Sequence, residues 1–504
     1  MVFSSIVFLC IFLPIIVIGY FVLPKVVRNV WLLLGSLFFY AWNEPRYLII
    51  MLASIVGNYL FGIWLAALSK RRCVDAVPSA GYQYGEGVSH VVTEKLALAV
   101  AIVFNLGILF YFKYFMLILT TINDIFAAHL VVPKILLPIG ISFYTFQGMS
   151  YVIDVYRMEG ARNENGEEVS VVQRNPINLA LYISMFPQLV AGPIVRYTDI
   201  KEYLSERTVS LNDFAKGVER FIIGLAKKAL LANVIGEVAD SIFTADTSCM
   251  GTGVAWLGAI CYTLQIFYDF AGYSDMAIGL GRMFGFEFVE NFNYPYISKS
   301  ITEFWRRWHI SLSTWFRDYL YIPLGGNRKG NIYVNLLIVF MATGFWHGAA
   351  WGYLLWGLWH GLFMLIERAL KKKGIMAKIP APVGWLYTML VVVLGWVLFK
   401  CEELETALPY LGVMFHTQSF KYIAFDLGYY LDNKVIFFLI IAIIAAIPWA
   451  QIMPRHVAAY IAKFTTAEED GWCITRRIFL AVLLLLSLIF IVNSSYNPFI
   501  YFRF

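Results

Sequence analysis

The sequence predicts an all-α polytopic membrane protein of about twelve transmembrane helices plus re-entrant or interfacial helices. Three observations predict it. Of 504 residues, 60% are hydrophobic and only 14% are charged, against about a quarter charged in an ordinary soluble domain. The mean hydropathy of +0.69 is too apolar for one large soluble core, because a surface that grows with chain length has to be wetted. Aromatic residues reach 17%, with 41 Phe, 31 Tyr and 15 Trp, and the amphipathic rings of Tyr and Trp favour the membrane interface.

A span needs roughly 20 apolar residues. Runs that approach this recur at about 3–23, 30–43, 47–68, 96–119, 133–156, 333–350, 351–368, 383–400, 435–452 and 478–493. The first run has no basic segment before it and no small-residue cleavage site after it, so it reads as a retained span and not a signal peptide. The run at 30–43 is short, which implies tilt or partial burial. The region 176–281 is apolar but interrupted by Gly, Pro and charges, and it is expected to hold further spans. The polar stretch 70–95, with Pro78, Gly81, Gly85 and Gly87, reads as a flexible loop. Neither it nor the stretch 160–175 is long enough for a soluble domain, so one transmembrane domain is expected over 1–504, with 493–504 as an aromatic extracellular tail.

Basic clusters set the orientation. Lys25/Arg28, Lys70–Arg72, Arg157/Arg162, Arg328/Lys329, Lys371–Lys373, Arg455 and Arg476/Arg477 can all be placed in the cytoplasm by one assignment, with both termini outside. The net charge of +6 then reports cytoplasmic loops, and no basic patch interleaved with aromatics points to nucleic acid. Six scattered Cys without CxxC spacing suggest neither a disulfide framework nor a zinc site.

Polar groups inside a membrane are costly and need a reason. Three regions carry them. Asp269, Ser274, Asp275 and Arg282 lie in a glycine-rich apolar run. They read either as a polar lining for a substrate passage or as buried pairs that fix helix packing. The stretch from Thr302 to Gly326 combines helical spacing with Trp305, Trp308, His309, Trp315 and Arg317. It cannot cross lipid unaided, so it is either an interfacial anchor or a re-entrant element. Third, two Trp-His-Gly triplets stand thirteen residues apart, at Trp346–Gly348 and Trp359–Gly361. On one straight helix their histidines would sit near opposite faces, roughly 20 Å apart, and would not share a site. Gly344, Gly348, Ala349 and Ala350 leave room for a ligand beside His347, and imidazole suits proton transfer near neutral pH. The alternative is a core histidine bonded to a neighbouring helix. No GxSxG elbow, HExxH or other metal spacing, or Walker loop is present. A histidine base acting on a bound hydroxyl, with a reactive donor supplying the driving force, fits these residues.

Five stretches together resemble the membrane-bound O-acyltransferase (MBOAT) family, in its bacterial branch of alginate and peptidoglycan O-acetylation proteins: Leu137–Gln147, Met185–Pro193, Asp269–Gly285, Phe304–Asn327 and Gly344–Arg368. The resemblance implies the MBOAT fold, a ring of helices around a thin centre crossed by a tunnel. It implies His347 as the essential histidine, His309 as its companion and His360 as structural. Asp269, Ser274, Asp275, Trp305, Trp308, Arg317 and Trp346 would line the tunnel. No cofactor would be bound. The donor would be a cytoplasmic acyl thioester, acetyl-coenzyme A or an acyl carrier protein, and the acceptor an outer-face glycan or a secreted partner enzyme of the SGNH/GDSL kind. The tail Ser494–Phe504 resembles the aromatic motif that ends such acyltransferases, and Tyr501 within it is expected to carry the acyl group transiently; the alternative is an interfacial anchor. D-alanyl transfer to teichoic acid is a close alternative reading, and a glycan transporter or flippase, or an inactive scaffold, a distant one.

Overall fold

The computed structural model describes residues 1–42, 44–75, 86–160, 169–417, 423–453, 470–494, 496–498 and 500. Regular structure among them is helical, with one isolated bridge between Met250 and Phe425. In lipid the backbone must satisfy its own hydrogen bonds, and the helix does so within one segment. Five described helices are long and apolar enough to cross a membrane: Pro45–Ser69, Val92–Lys113, Thr252–Met283, Ala381–Cys401 and Ile474–Asn493. Four shorter apolar helices lie at Phe8–Val22, Phe115–Phe126, Ile332–His347 and Asn433–Ala445. Of the polar stretch 70–95 expected as a flexible loop, 70–75 and 86–95 are helical, and 76–85 lies outside the described residues.

The chain divides into two compact units. The first comprises Val7–Phe214, Gly281–Phe288 and Met1. It contains α1 (Leu13–Val22), α2 (Arg28–Ala41), α3 (Leu48–Asp75), α4 (Glu86–Lys113), α5 (Phe115–Phe126), α6 (Ile141–Met158) and α7 (Pro176–Ser184). Asn58 of α3 and Asn105 of α4 exchange amide hydrogen bonds of 3.0 and 2.8 Å, a polar joint of the kind that associates helices where no hydrophobic drive acts between them. Gly148 of α6 packs against the same joint: a Cβ there would lie 2.5 Å from Asn58 Nδ2. Two expected spans are revised. The run 133–156 becomes helical only at Ile141, after Pro133, Pro138 and a left-handed Gly140 with φ 73°. The run 96–119 is split at Tyr114, where α4 gives way to α5.

The second unit comprises Val2–Ile6, Ala215–Leu280 and Val289–Phe504. Most of α8 (Leu211–Ala226) belongs to it, and leads through a π-turn into α9 (Asn233–Phe243) and the 32-residue α10 (Thr252–Met283). There follow two short helices, α11 (Ile301–Arg307) and α12 (Ile310–Phe316), then α13 (Ile332–His347), α14 (Trp351–Lys372), α15 (Ala381–Cys401), α16 (Leu404–Met414), α17 (Asn433–Ala445) and α18 (Asp470–Asn493). Glycines set the close crossings. A Cβ at Gly224 would fall 2.5 Å from the Gly272 oxygen, joining α8 to α10. One at Gly344 would fall 2.4 Å from the Tyr353 oxygen, and one at Gly357 2.4 Å from the Phe340 oxygen, joining α13 to α14 as a hairpin. The hairpin corner is Gly348–Ala350, where Gly348 admits no Cβ because the Tyr353 ring would stand 2.2 Å away.

Candidate active site

The second unit brings both sequence-singled histidines into one buried aromatic cluster. His347 is the last residue of α13, delivered to the hairpin corner by the glycines just described. Its ring meets Trp346 at 4.8 Å, Trp356 at 5.0 Å and Phe399 of α15 at 5.1 Å between centroids. His309 joins α11 to α12 in the left-handed region, with φ 45°. Non-glycine residues seldom take this conformation, and it recurs at functional sites. Its ring meets Phe270 of α10 edge-on at 4.6 Å and lies 6.1 Å from Trp346. Trp346 thus stands between the two imidazoles. Within the stretch from Thr302 to Gly326, Trp305, Trp308, His309 and Trp315 are buried in protein, whereas Arg306, Arg317 and 322–324 are exposed.

One expectation is corrected. On one straight helix His347 and His360 would stand about 20 Å apart and share no neighbour. The chain instead reverses between them, and both rings touch Trp356, His347 at 5.0 Å and His360 at 5.2 Å. His360 is wholly buried and sits against Trp305 and Phe304.

The carboxylates of α10 are used in ion pairs. Asp275 accepts from Arg220 and Lys227, each at 2.6 Å. Asp269 pairs at 2.6 Å with Lys228, both side chains being almost fully enclosed. Ser274 accepts a 3.0 Å hydrogen bond from Asn291 Nδ2. Trp305 packs on Trp356 and His360, and Trp308 on Trp396 and Phe292. Arg317 lies apart: it sits on a π-turn after α12, 60% exposed, paired with the adjacent Asp318.

The segment after α18 returns into the unit. Asp269 accepts from the Ile500 amide at 3.0 Å, and Lys228 donates to the Pro498 oxygen. Tyr496 donates to Asp240 at 2.6 Å, and Asp240 is also paired with Lys400. Pro498 and Ile500 line a narrow cavity together with Tyr262 and Phe399. The Phe399 ring is one of those touching His347. Tyr501 itself lies outside the described residues.

Sequence reasoning missed Lys228, Asp240, Lys400, Tyr496 and Asn291. Lys228 left a signal, a lysine pair inside an apolar stretch, which in a membrane asks for a counter-charge. Asn291 left none, because an Asn in the run Asn291-Phe-Asn-Tyr-Pro295 reads as an ordinary loop residue.

The second unit thus buries two histidines at helix ends, and the segment after α18 is held in the same unit by Lys228, Asp269 and Asp240. The chain belongs to the membrane-bound O-acyltransferase family, whose model matches residues 110–401. It is therefore an O-acyltransferase. It is 39% identical to a probable alginate O-acetylase AlgI of Pseudomonas putida, over the whole of both chains. It is 32% identical to a peptidoglycan O-acetyltransferase of Helicobacter pylori, covering all of this chain and 98% of the relative. A teichoic acid D-alanyltransferase of Bacillus subtilis is 32% identical over 45% of this chain and 58% of its own length.

Proposed function

We propose that the protein transfers an acetyl group from a cytoplasmic thioester, acetyl-coenzyme A, across the plasma membrane for O-acetylation of an exported or cell-wall polysaccharide. The full-length likeness to alginate and peptidoglycan acetylating relatives supports this over D-alanyl transfer, whose relative aligns with less than half of the chain. About twelve crossings form the multi-pass body, the spans beyond the nine apolar helices coming from segments such as α6 and α14.

The observation that carries the mechanism is the placing of His347, His309 and the clasped tail around one aromatic cluster. In this reading His347 takes the proton of the Tyr501 hydroxyl as the phenol oxygen attacks the thioester carbonyl. The C–S bond breaks, the thiol leaves with the proton, and a tyrosyl ester remains. An acceptor hydroxyl, of the glycan or of a secreted SGNH/GDSL-like partner, then attacks that ester and regenerates the phenol. A cavity of about 600 Å³ lies along α11, where Lys299, Arg306, Arg368 and Lys371 outnumber the carboxylates Glu303 and Glu367 in its lining. Its size suits a small-molecule site and its charge suits the phosphates of the donor. Trp305, on the same helix, reaches His360 and Trp356.

The test is transfer of labelled acetyl from acetyl-coenzyme A into protein reconstituted in liposomes. Wild type should become covalently labelled at Tyr501. His347→Ala should not. Tyr501→Phe keeps the aromatic ring and removes the hydroxyl, and full activity in that variant would refute the relay while leaving the acetyl transfer standing.

A further inference from the structure

Asn291 is fully buried on the segment between α10 and α11, and its hydrogen bonds constrain the chemistry of His309. Its main-chain oxygen accepts from the Ile310 amide at 2.9 Å. Its side-chain Oδ1 accepts from the Ser311 amide at 3.3 Å and the Ser311 hydroxyl at 2.9 Å. Its Nδ2 donates to Ser274 at 3.0 Å. A main-chain N–H can only donate, so the amide atom facing Ser311 is the oxygen and the Asn291 side chain has one orientation. That same oxygen lies 3.0 Å from His309 Nδ1. Oxygen has no hydrogen to give, so the hydrogen between them sits on Nδ1. In the neutral ring Nε2 is then the atom with the free lone pair. Nε2 is buried and meets no hydrogen-bond partner among the described residues. The edge of Phe270 and the left-handed backbone at His309 hold the ring in place.

We propose that Asn291 is a positioning residue. It locks His309 in the Nδ1–H form, so that Nε2 is the atom that accepts a hydrogen bond from the acceptor hydroxyl that attacks the tyrosyl ester. Ser274 acts one step further back, by fixing the amide. The proposal rests on the acyltransferase reading of the site, but its first readout does not. Fixing a tautomer through the far nitrogen is a general way to aim an imidazole, and a ring held in the wrong tautomer presents N–H where an acceptor is needed.

The experiment is nitrogen NMR of ¹⁵N-histidine-labelled full-length protein in lipid bilayers, with the His309 signals identified by their loss in His309→Gln. Wild type should show a protonated Nδ1 and an unprotonated Nε2. Asn291→Asp keeps the accepting oxygen and should keep that pattern. Asn291→Ala should lose it, and its turnover number should fall about 10²-fold, the low end of what general acid–base groups contribute, with the KM for donor little changed. A protonated Nε2 in wild type would overturn the proposal, as would an Asn291→Ala protein that keeps both the Nδ1–H pattern and full turnover. If Asn291→Ala does not fold, the wild-type spectrum and Asn291→Asp still decide. If the expected tautomer is found but no thioester donor is consumed by wild type, the acyl-transfer reading fails while the positioning of His309 stands.

Discussion

Replacing Lys228 by Met should separate two jobs that one ion pair performs. The Lys228 and Asp269 side chains are 3% and 2% exposed and 2.6 Å apart. Removing one partner strands a carboxylate in the interior, and breaking such a pair costs about 3–5 kcal/mol. Lys228→Met should therefore be strongly destabilised. Lys228→Met/Asp269→Leu removes both charges and fills similar volumes, which is often neutral in a buried site, so the double variant should recover most of the wild-type stability. The tail should not recover. The Pro498 oxygen and the Ile500 amide lose their charged partners together, and hydrogen bonds to charged groups contribute roughly 1.5–3 kcal/mol each. Thermal unfolding in detergent reads the first job. The second is read by maleimide labelling of Ile500→Cys in a background without other cysteines. The expected pattern is a cysteine that is protected in the parent and reactive in the double variant, with acyl transfer lost. A double variant as unstable as Lys228→Met, or one that keeps Ile500→Cys protected, would refute the assignment of the pair as the tail's anchor.

Two further outcomes follow from close approach and from charge. Gly357→Ala places a methyl 2.4 Å from the Phe340 oxygen; the α13–α14 hairpin must part, at about 1–3 kcal/mol, and turnover should drop with stability because the hairpin sets His347, as paired melting and transfer assays would record. Arg306→Glu/Arg368→Glu reverses two charges of the 600 Å³ cavity; the KM for acetyl-coenzyme A should rise about tenfold or more and the rise should shrink in high salt, while the Ile500→Cys protection stays as in the parent.

The membrane class and the Trp346–Gly348 motif were legible because composition and small-residue spacing are local properties. The α13–α14 hairpin was half legible. Two apolar runs meet at 350–351 in the sequence, but a straight helix would hold His347 and His360 about 20 Å apart, and only the reversal at Gly348–Ala350 brings both against Trp356. The pairing of Lys228 with Asp269 spans 41 positions and that of Tyr496 with Asp240 spans 256. No periodicity encodes such partners. Asn291 was invisible because its importance lies in an orientation set by Ser274 and Ser311 from two other segments.

Both site histidines stand where a helix is interrupted, and this has a testable cost. His309 falls between α11 and α12, and His347 ends α13. Broken helices at membrane depth survive only where the freed backbone groups find partners inside the protein. Asn291 supplies them at the start of α12, accepting from the Ile310 and Ser311 amides. The left-handed conformation of His309 costs a non-glycine residue roughly 1–2 kcal/mol, and Asn is among the residues that bear it best. His309→Asn can keep the turn, and its amide can still donate to Asn291 Oδ1, yet it offers no imidazole base. It should fold with near-parent stability and transfer acetyl poorly. His309→Val, β-branched and ill suited to a positive φ, should lose both. A His309→Asn protein that is as active as the parent would show that the break exists for the backbone alone and that the imidazole takes no part in the chemistry.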